Sequence, residues 1–184
     1  MTFDPHDPGN AALVVRAAFG DMHSIDRLLR SIQQPLYDHI TFITGDRDTA
    51  SDVLQDVLLT ICRSLIALQD PTLFRAWVYR IATRAAIRAE RRHARGAGTT
   101  PDHTPEPAVE SVDEPAFDPE LIAAIPSLVA GLPPACGIVV RLRYLEELSV
   151  AEVAEALNVP AGTVKSRASY GVALLRQRLA RVDR

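Results

Sequence analysis

The residues of this chain best suited to chemistry are ones that grip a ligand rather than break a bond. Thr163, Lys165, Ser166, Arg167, Ser169 and Tyr170 crowd into one short stretch. Hydroxyls and cations on one helix face suit the phosphates and base edges of duplex DNA. A second set is Arg80, Arg84, Arg88, Arg91, Arg92 and Arg95, with Phe74, Trp77 and Tyr79 just upstream. Arginines three or four residues apart share one side of a helix. Aromatic rings beside such a phosphate track can stack an unpaired base, although Trp77 is expected to be mostly core. A third set, Asp52, Gln55 and Asp56, has the same spacing and makes an acidic face fit for a basic protein surface. Bond-breaking chemistry finds no footing. The histidines at 6, 23, 39, 93 and 103 form no local motif. Cys62 and Cys136 lack C-x-x-C or zinc spacing, and both are read as reduced core residues. No enzyme activity, cofactor or metal is expected.

The first set needs a scaffold that presents one helix. Ser149 with Glu152 fits a capping box, which starts a helix by satisfying its free backbone N–H groups. Val150, Val153, Ala154 and Leu157 then recur at helical spacing. Asn158 can stop that helix in the left-handed conformation, and Pro160 can start the next. In the second helix Val164, Ala168, Val172, Leu175 and Leu179 point inward, which leaves the gripping residues outside. Two helices with a tight turn between them predict a helix-turn-helix. Gly171 in mid-helix costs about 1 kcal/mol relative to Ala, a sign of close packing there.

Upstream the pattern is helical throughout, over 10–19, 24–41, 48–68 and 73–93, with a bend expected at Pro35. Between Gly96 and Glu120 five prolines and seven acids occur without one Lys or Arg. Such a segment cannot build a core and is expected to be an extended linker. After it come helices over 121–132, interrupted or begun afresh near Pro126, and from Pro133-Pro134 to Leu145. The expected fold is all-α: two small helical domains joined by an acidic, Pro-rich linker, the second domain a helix-turn-helix. The boundaries are 1–95, 96–118 and 119–184.

A net charge of −3 is misleading until it is divided along the chain. Residues 1–71 carry −5, 72–95 carry +6, 96–120 carry −7 and 121–184 carry +3. Alternating acid and base predicts several partner surfaces, two of them for nucleic acid. No run of about 18 apolar residues predicts membrane insertion. The N-terminus lacks the regions of a signal peptide. The expected location is the cytoplasm.

Several strings occur in a telling order: Asp52-Val-Leu-Gln-Asp-Val-Leu-Leu59, Phe74-Arg-Ala-Trp-Val-Tyr-Arg-Ile-Ala82, Leu132-Pro133, Leu142-Arg-Tyr144, Leu148-Ser149 and Gly162-Thr-Val-Lys-Ser-Arg167. On these the chain resembles the extracytoplasmic-function (group IV) sigma factors of bacterial RNA polymerase, over roughly 10–95 and 119–182. The resemblance implies a subunit that directs core RNA polymerase to promoter DNA and contains no catalytic centre. It implies −10 opening by the first domain, through Arg75, Trp77, Tyr79, Arg80, Arg84, Arg88 and Arg91. It implies −35 reading by the second, through Ser149, Thr163, Lys165, Ser166, Arg167, Ser169 and Tyr170. Asp52, Gln55 and Asp56 would meet the coiled coil of the polymerase's largest subunit. The loop from Asp70 to Leu73 would help form a pocket for a flipped −10 base, and an anti-sigma protein is a further implied partner. The chain departs from the family at Thr83-Arg84, where members often carry Asn, and at Ala168-Ser-Tyr-Gly-Val172, where further arginines are common. The alternative is a stand-alone helix-turn-helix regulator, which would bind duplex DNA tightly without polymerase.

Overall fold

The computed structural model describes residues 8–96, 126 and 128–182. Of the segment expected to be a linker, residues 97–118 lie outside the described residues, and Gly96 is the last residue of a helix. The chain divides into two compact units, within residues 1–101 and 102–184. Among the described residues every regular element is helical.

The first unit holds α1 (Pro8–Ala18), α2 (Met22–Thr44), α3 (Arg47–Ser64) and α4 (Phe74–Gly96). Local chemistry sets their ends. The Asp21 carboxylate caps α2, accepting from the His23 N–H at 3.3 Å and from the Ser24 hydroxyl. Gly45 closes α2 at φ 69°, a left-handed conformation that glycine takes at little cost. Asp46 then caps α3, accepting from the Thr49 N–H at 2.8 Å. The helix α2 runs through Pro35 as one element. Leu28, Ile32, Leu36 and Ile40 form its buried stripe. That stripe packs on α1, α3 and α4, meeting Val53, Val57 and Ile61 of α3 and Val78, Ala82 and Ala86 of α4 in one core.

Two expectations are corrected here. The third helix ends at Ser64, and 3-10 turns at Leu65–Ala67 and Pro71–Leu73 carry the chain to α4. Ile66, in the first of these turns, is 73% exposed. Cys62 is exposed rather than core, because it follows the buried Ile61 by one residue and so faces about a quarter-turn away; Cys136 is buried.

The second unit holds a 3-10 turn (Val129–Gly131), α5 (Pro134–Val140), α6 (Val150–Leu157) and α7 (Ala161–Val182). The helix expected to reach Leu145 instead changes to a π turn at Arg141–Leu145. Both α5 and α6 pack on α7, around Val139, Val140, Leu142, Val153, Val164, Val172 and Leu175. Where α7 crosses α5, a Cβ on Gly171 would stand 2.6 Å from Val140 Cγ2. The glycine is there because its two helices approach too closely for a methyl group.

Candidate nucleic-acid and polymerase interface

The capping box that starts α6 is complete. The Ser149 N–H donates to Glu152 Oε2 at 2.7 Å, and the Glu152 N–H donates to Ser149 Oγ at 3.2 Å. Ser149 is exposed, and a hydroxyl that accepts one bond keeps its own O–H to give. Asn158 ends α6 at φ 55° and ψ 50°. The Val159 N–H returns to the Ala154 carbonyl at 3.1 Å, and α7 begins three residues after Asn158. The turn is thus fixed by backbone hydrogen bonds, and Val153 and Ala156 of α6 are buried beside α7. On α7, Lys165 is exposed and Thr163, Ser166, Arg167, Ser169 and Tyr170 are half-buried. The Ser166 hydroxyl donates to the Thr163 carbonyl at 3.1 Å.

Other cations of this unit serve the fold. The Arg178 guanidinium donates to the carbonyls of Leu128 and Gly131. Arg141 pairs with the buried Glu146 at 3.7 Å. Arg143 donates to the Leu148 carbonyl. None of these three was singled out by spacing, since a helical pattern does not say which arginine meets a carbonyl.

On α4, Arg84, Arg88, Arg91 and Arg95 are exposed and Arg80 is half-buried. At 3.6 residues per turn they share one face with Trp77. Trp77 is half-buried, its ring 6.2 Å from that of the fully buried Phe74. Tyr79 is a correction: it is 4% exposed, edge-on to His39 at 5.3 Å, and faces the core. Arg75 lies four residues before it on that same side, off the arginine row. Thr83 is fully buried and hydrogen-bonds His39 Nε2 at 2.8 Å. It cannot offer the base contact that an Asn there would. The sequence held a signal for this pair, a histidine inside the α2 apolar stripe one residue before Ile40.

Asp52, Gln55 and Asp56 are exposed on α3. They are not isolated from the basic set. Asp56 and Arg63 line one groove with Arg88, Arg91, Arg92 and Arg95, over a floor that includes Val57, Ile81 and Ala85. Asp52 and Asp56 border an adjoining depression with Arg92 and His93. Acidic and basic sets read as separate surfaces therefore meet along the α3–α4 seam. In the loop before α4, Asp70 is occupied by the Thr72 N–H at 2.9 Å and the Thr72 hydroxyl at 2.6 Å. The Thr72 side chain, and then its backbone, holds the Asp70 carboxyl below its ordinary range. Leu73 is 48% exposed beside it. Among the described residues no helix is long and apolar enough to cross a membrane, and no group of three side chains is placed to hold a metal ion.

Comparison with known proteins agrees with this geometry. Residues 28–96 match the family description "Sigma-70 region 2", and residues 122–175 match "Sigma-70, region 4". The ECF RNA polymerase sigma factor SigE of Mycolicibacterium smegmatis is 30% identical, covering 97% of this chain and 71% of that protein. SigL of Mycobacterium tuberculosis is 34% identical, covering 77% of this chain and 80% of that protein. SigW of Bacillus subtilis is 28% identical, covering 87% and 91%. Two solved structures share the fold. CnrH, in complex with the cytosolic domain of CnrY, has a TM-score of 0.62 at 21% identity and covers 93% of this chain and 97% of that one. RpoE of Bartonella quintana, in complex with the anti-sigma factor NepR, has a TM-score of 0.61 at 20% identity, covering 86% and 98%.

A region 2 unit followed by a region 4 helix-turn-helix defines a sigma-70-type transcription initiation factor. Within that class the chain belongs to the extracytoplasmic-function (ECF) RNA polymerase sigma factors. Its partners are core RNA polymerase and promoter DNA, and its function is to direct the enzyme to promoters through −35 recognition and −10 melting. The stand-alone regulator is not favoured.

Proposed function

We propose a division of labour on named residues. Residues 1–95 bind core polymerase and open the −10 element, residues 96–118 link the domains, and residues 119–184 read the −35 element. Lys165, Ser166 and Arg167, with Thr163, Ser169, Tyr170 and the Ser149 hydroxyl, meet the −35 duplex. Arg75, Trp77, Arg80, Arg84, Arg88 and Arg91 meet the −10 strand; the buried Tyr79 leaves that set. Flipping a base costs a few kcal/mol, so something must receive it, and exposed Leu73 at the head of α4 is placed to flank it. Asp52, Gln55 and Asp56 dock on the polymerase's largest subunit. The chain works in the cytoplasm without a catalytic centre of its own, and an anti-sigma protein holds it inactive, as NepR is found with RpoE.

The observation that carries this reading is the closed helix-turn-helix: the capping box, Asn158 at positive φ, and exposed Lys165 in the first turns of α7. The test is reconstitution of purified chain with core polymerase on promoter DNA. Asp56→Arg should weaken core binding roughly tenfold or more, since like charge replaces complementary charge at an interface. Unchanged core affinity would remove α3 from the polymerase surface.

A further inference from the structure

The passage from α5 to α6 is the least regular backbone among the described residues of the second unit. After Val140 the helix widens to the π turn Arg141–Leu145, and such turns concentrate at functional sites. Glu147 follows at φ 52°, which non-glycine residues adopt sparingly. Leu148 comes next, immediately ahead of the α6 cap Ser149. It is held on three sides. Its side chain is 3% exposed. Its N–H donates to the Leu142 carbonyl at 3.0 Å. Its carbonyl accepts from the Arg143 guanidinium. The Arg143 side chain lies over the Tyr144 ring, 5.6 Å from its centroid. The Arg141–Glu146 pair, at 3.7 Å, closes the opposite side of the turn.

We propose that Arg143 is a positioning residue for −35 readout: by tying the π turn to the carbonyl of Leu148, it sets the angle at which α6, and α7 with it, meets DNA. This rests on the reading of α7 as the −35 helix. The chain of contact is short. Leu148 fixes Ser149, Ser149 caps α6, and the turn at Asn158 fixes α7 to α6. Recognition sites must be held within about 0.5 Å of productive geometry. Release of the Leu148 carbonyl lets α6 pivot at its cap, and base contacts several residues away then lose their alignment.

The experiment uses holoenzyme assembled from full-length chain and core polymerase. Probes are duplexes that wild-type holoenzyme recovers from a library randomised over the upstream promoter segment. The readout is the affinity ratio between a recovered upstream sequence and its scrambled counterpart. A variant that merely folds less scales both affinities by the same competent fraction, which cancels in the ratio. Arg143→Gln keeps an amide donor but on a side chain two atoms shorter, out of reach of the Leu148 carbonyl, and should lower the ratio roughly tenfold, the scale of one lost bidentate base contact, while core affinity and salt slope hold. Arg143→Lys keeps a donor able to reach a carbonyl and should retain most of the ratio. An unchanged ratio in Arg143→Gln overturns the proposal. So does an unchanged ratio with a salt slope shallower by about one, which would make Arg143 a phosphate contact. Lys165→Ala separates the two levels. If it lowers the ratio and Arg143→Gln does not, only the positioning role fails. If neither lowers it, α7 is not the reader and the functional reading fails too.

Discussion

Replacing Gly171 by Ala sets two effects of known size against each other. An alanine in mid-helix gains about 1 kcal/mol over glycine. Against that, the new Cβ would stand 2.6 Å from Val140 Cγ2, and 3.6 Å from both Cys136 Cβ and Leu132 Cδ1. The last two are ordinary contacts and the first is a clash. Relief by side-chain rotation is poor, because Val140 is fully buried and β-branched. Overpacking of this kind costs about 1–3 kcal/mol. The clash wins, and Gly171→Ala should destabilise the second unit by about 1 kcal/mol net, or roughly 4–8 °C in Tm for a domain of this size. Hydrogen exchange of the α7 amides gives the local opening free energy. The only tryptophan, Trp77, belongs to the first unit, so its emission in urea supplies an internal control that should not move. Val140→Ala combined with Gly171→Ala should show coupling of about 0.5–3 kcal/mol in the favourable direction. A stabilised Gly171→Ala would mean that propensity outweighs contact, and the close crossing of α5 and α7 would be wrong.

Two further perturbations probe the first unit. Thr83→Val removes the hydroxyl that meets His39 Nε2 and should cost about 1–3 kcal/mol in urea unfolding followed by Trp77, since it strands a buried polar group; no loss would argue against the bond. Asp46 and Asp21 titrate below their ordinary range, chiefly through hydrogen bonds from Thr49 and Ser24 respectively. Depressed carboxylates contribute stability that is whole above about pH 4 and fades as pH falls through their folded values. Asp46→Asn keeps a capping oxygen but loses the charge. Its stability curve should fall less steeply below pH 4 than that of the parent, and an unchanged acid limb would separate Asp46 from acid unfolding.

The legible parts of this protein were the local ones. Ser149, Glu152 and Asn158 act within a few residues of themselves, so the ends of α6 could be read directly. Gly171 betrayed its close packing by being expensive where it stands. The parts that escaped depend on neighbours far along the chain. Tyr79 sits between Trp77 and Arg80 and shares their composition, yet α2 decides that it faces His39. Asp56 and Arg92 are far apart in sequence and border the same groove because α3 and α4 pack together. The π turn escaped for a different reason: a stretch of apolar residues with Arg141 and Arg143 fits a plain helix equally well, and only the closure onto Leu148 selects the wider turn.

That closure also bears on how this unit uses its cations. Residues 121–184 carry eight basic side chains. Arg141, Arg143 and Arg178 are committed to Glu146 and to backbone carbonyls. Each phosphate neutralised by a cation contributes about −0.9 to the salt slope of duplex binding, and these three side chains are tied to the fold rather than held out for such a contact. If α7 reads the −35 element as proposed, they supply a fixed frame for Lys165 and Arg167. Affinity from phosphate contacts is the same on every sequence, whereas a fixed frame raises the difference between right and wrong bases. A subunit delivered to DNA by polymerase gains little from the first and depends on the second. Its cations are better spent inside the helix-turn-helix unit than on its surface.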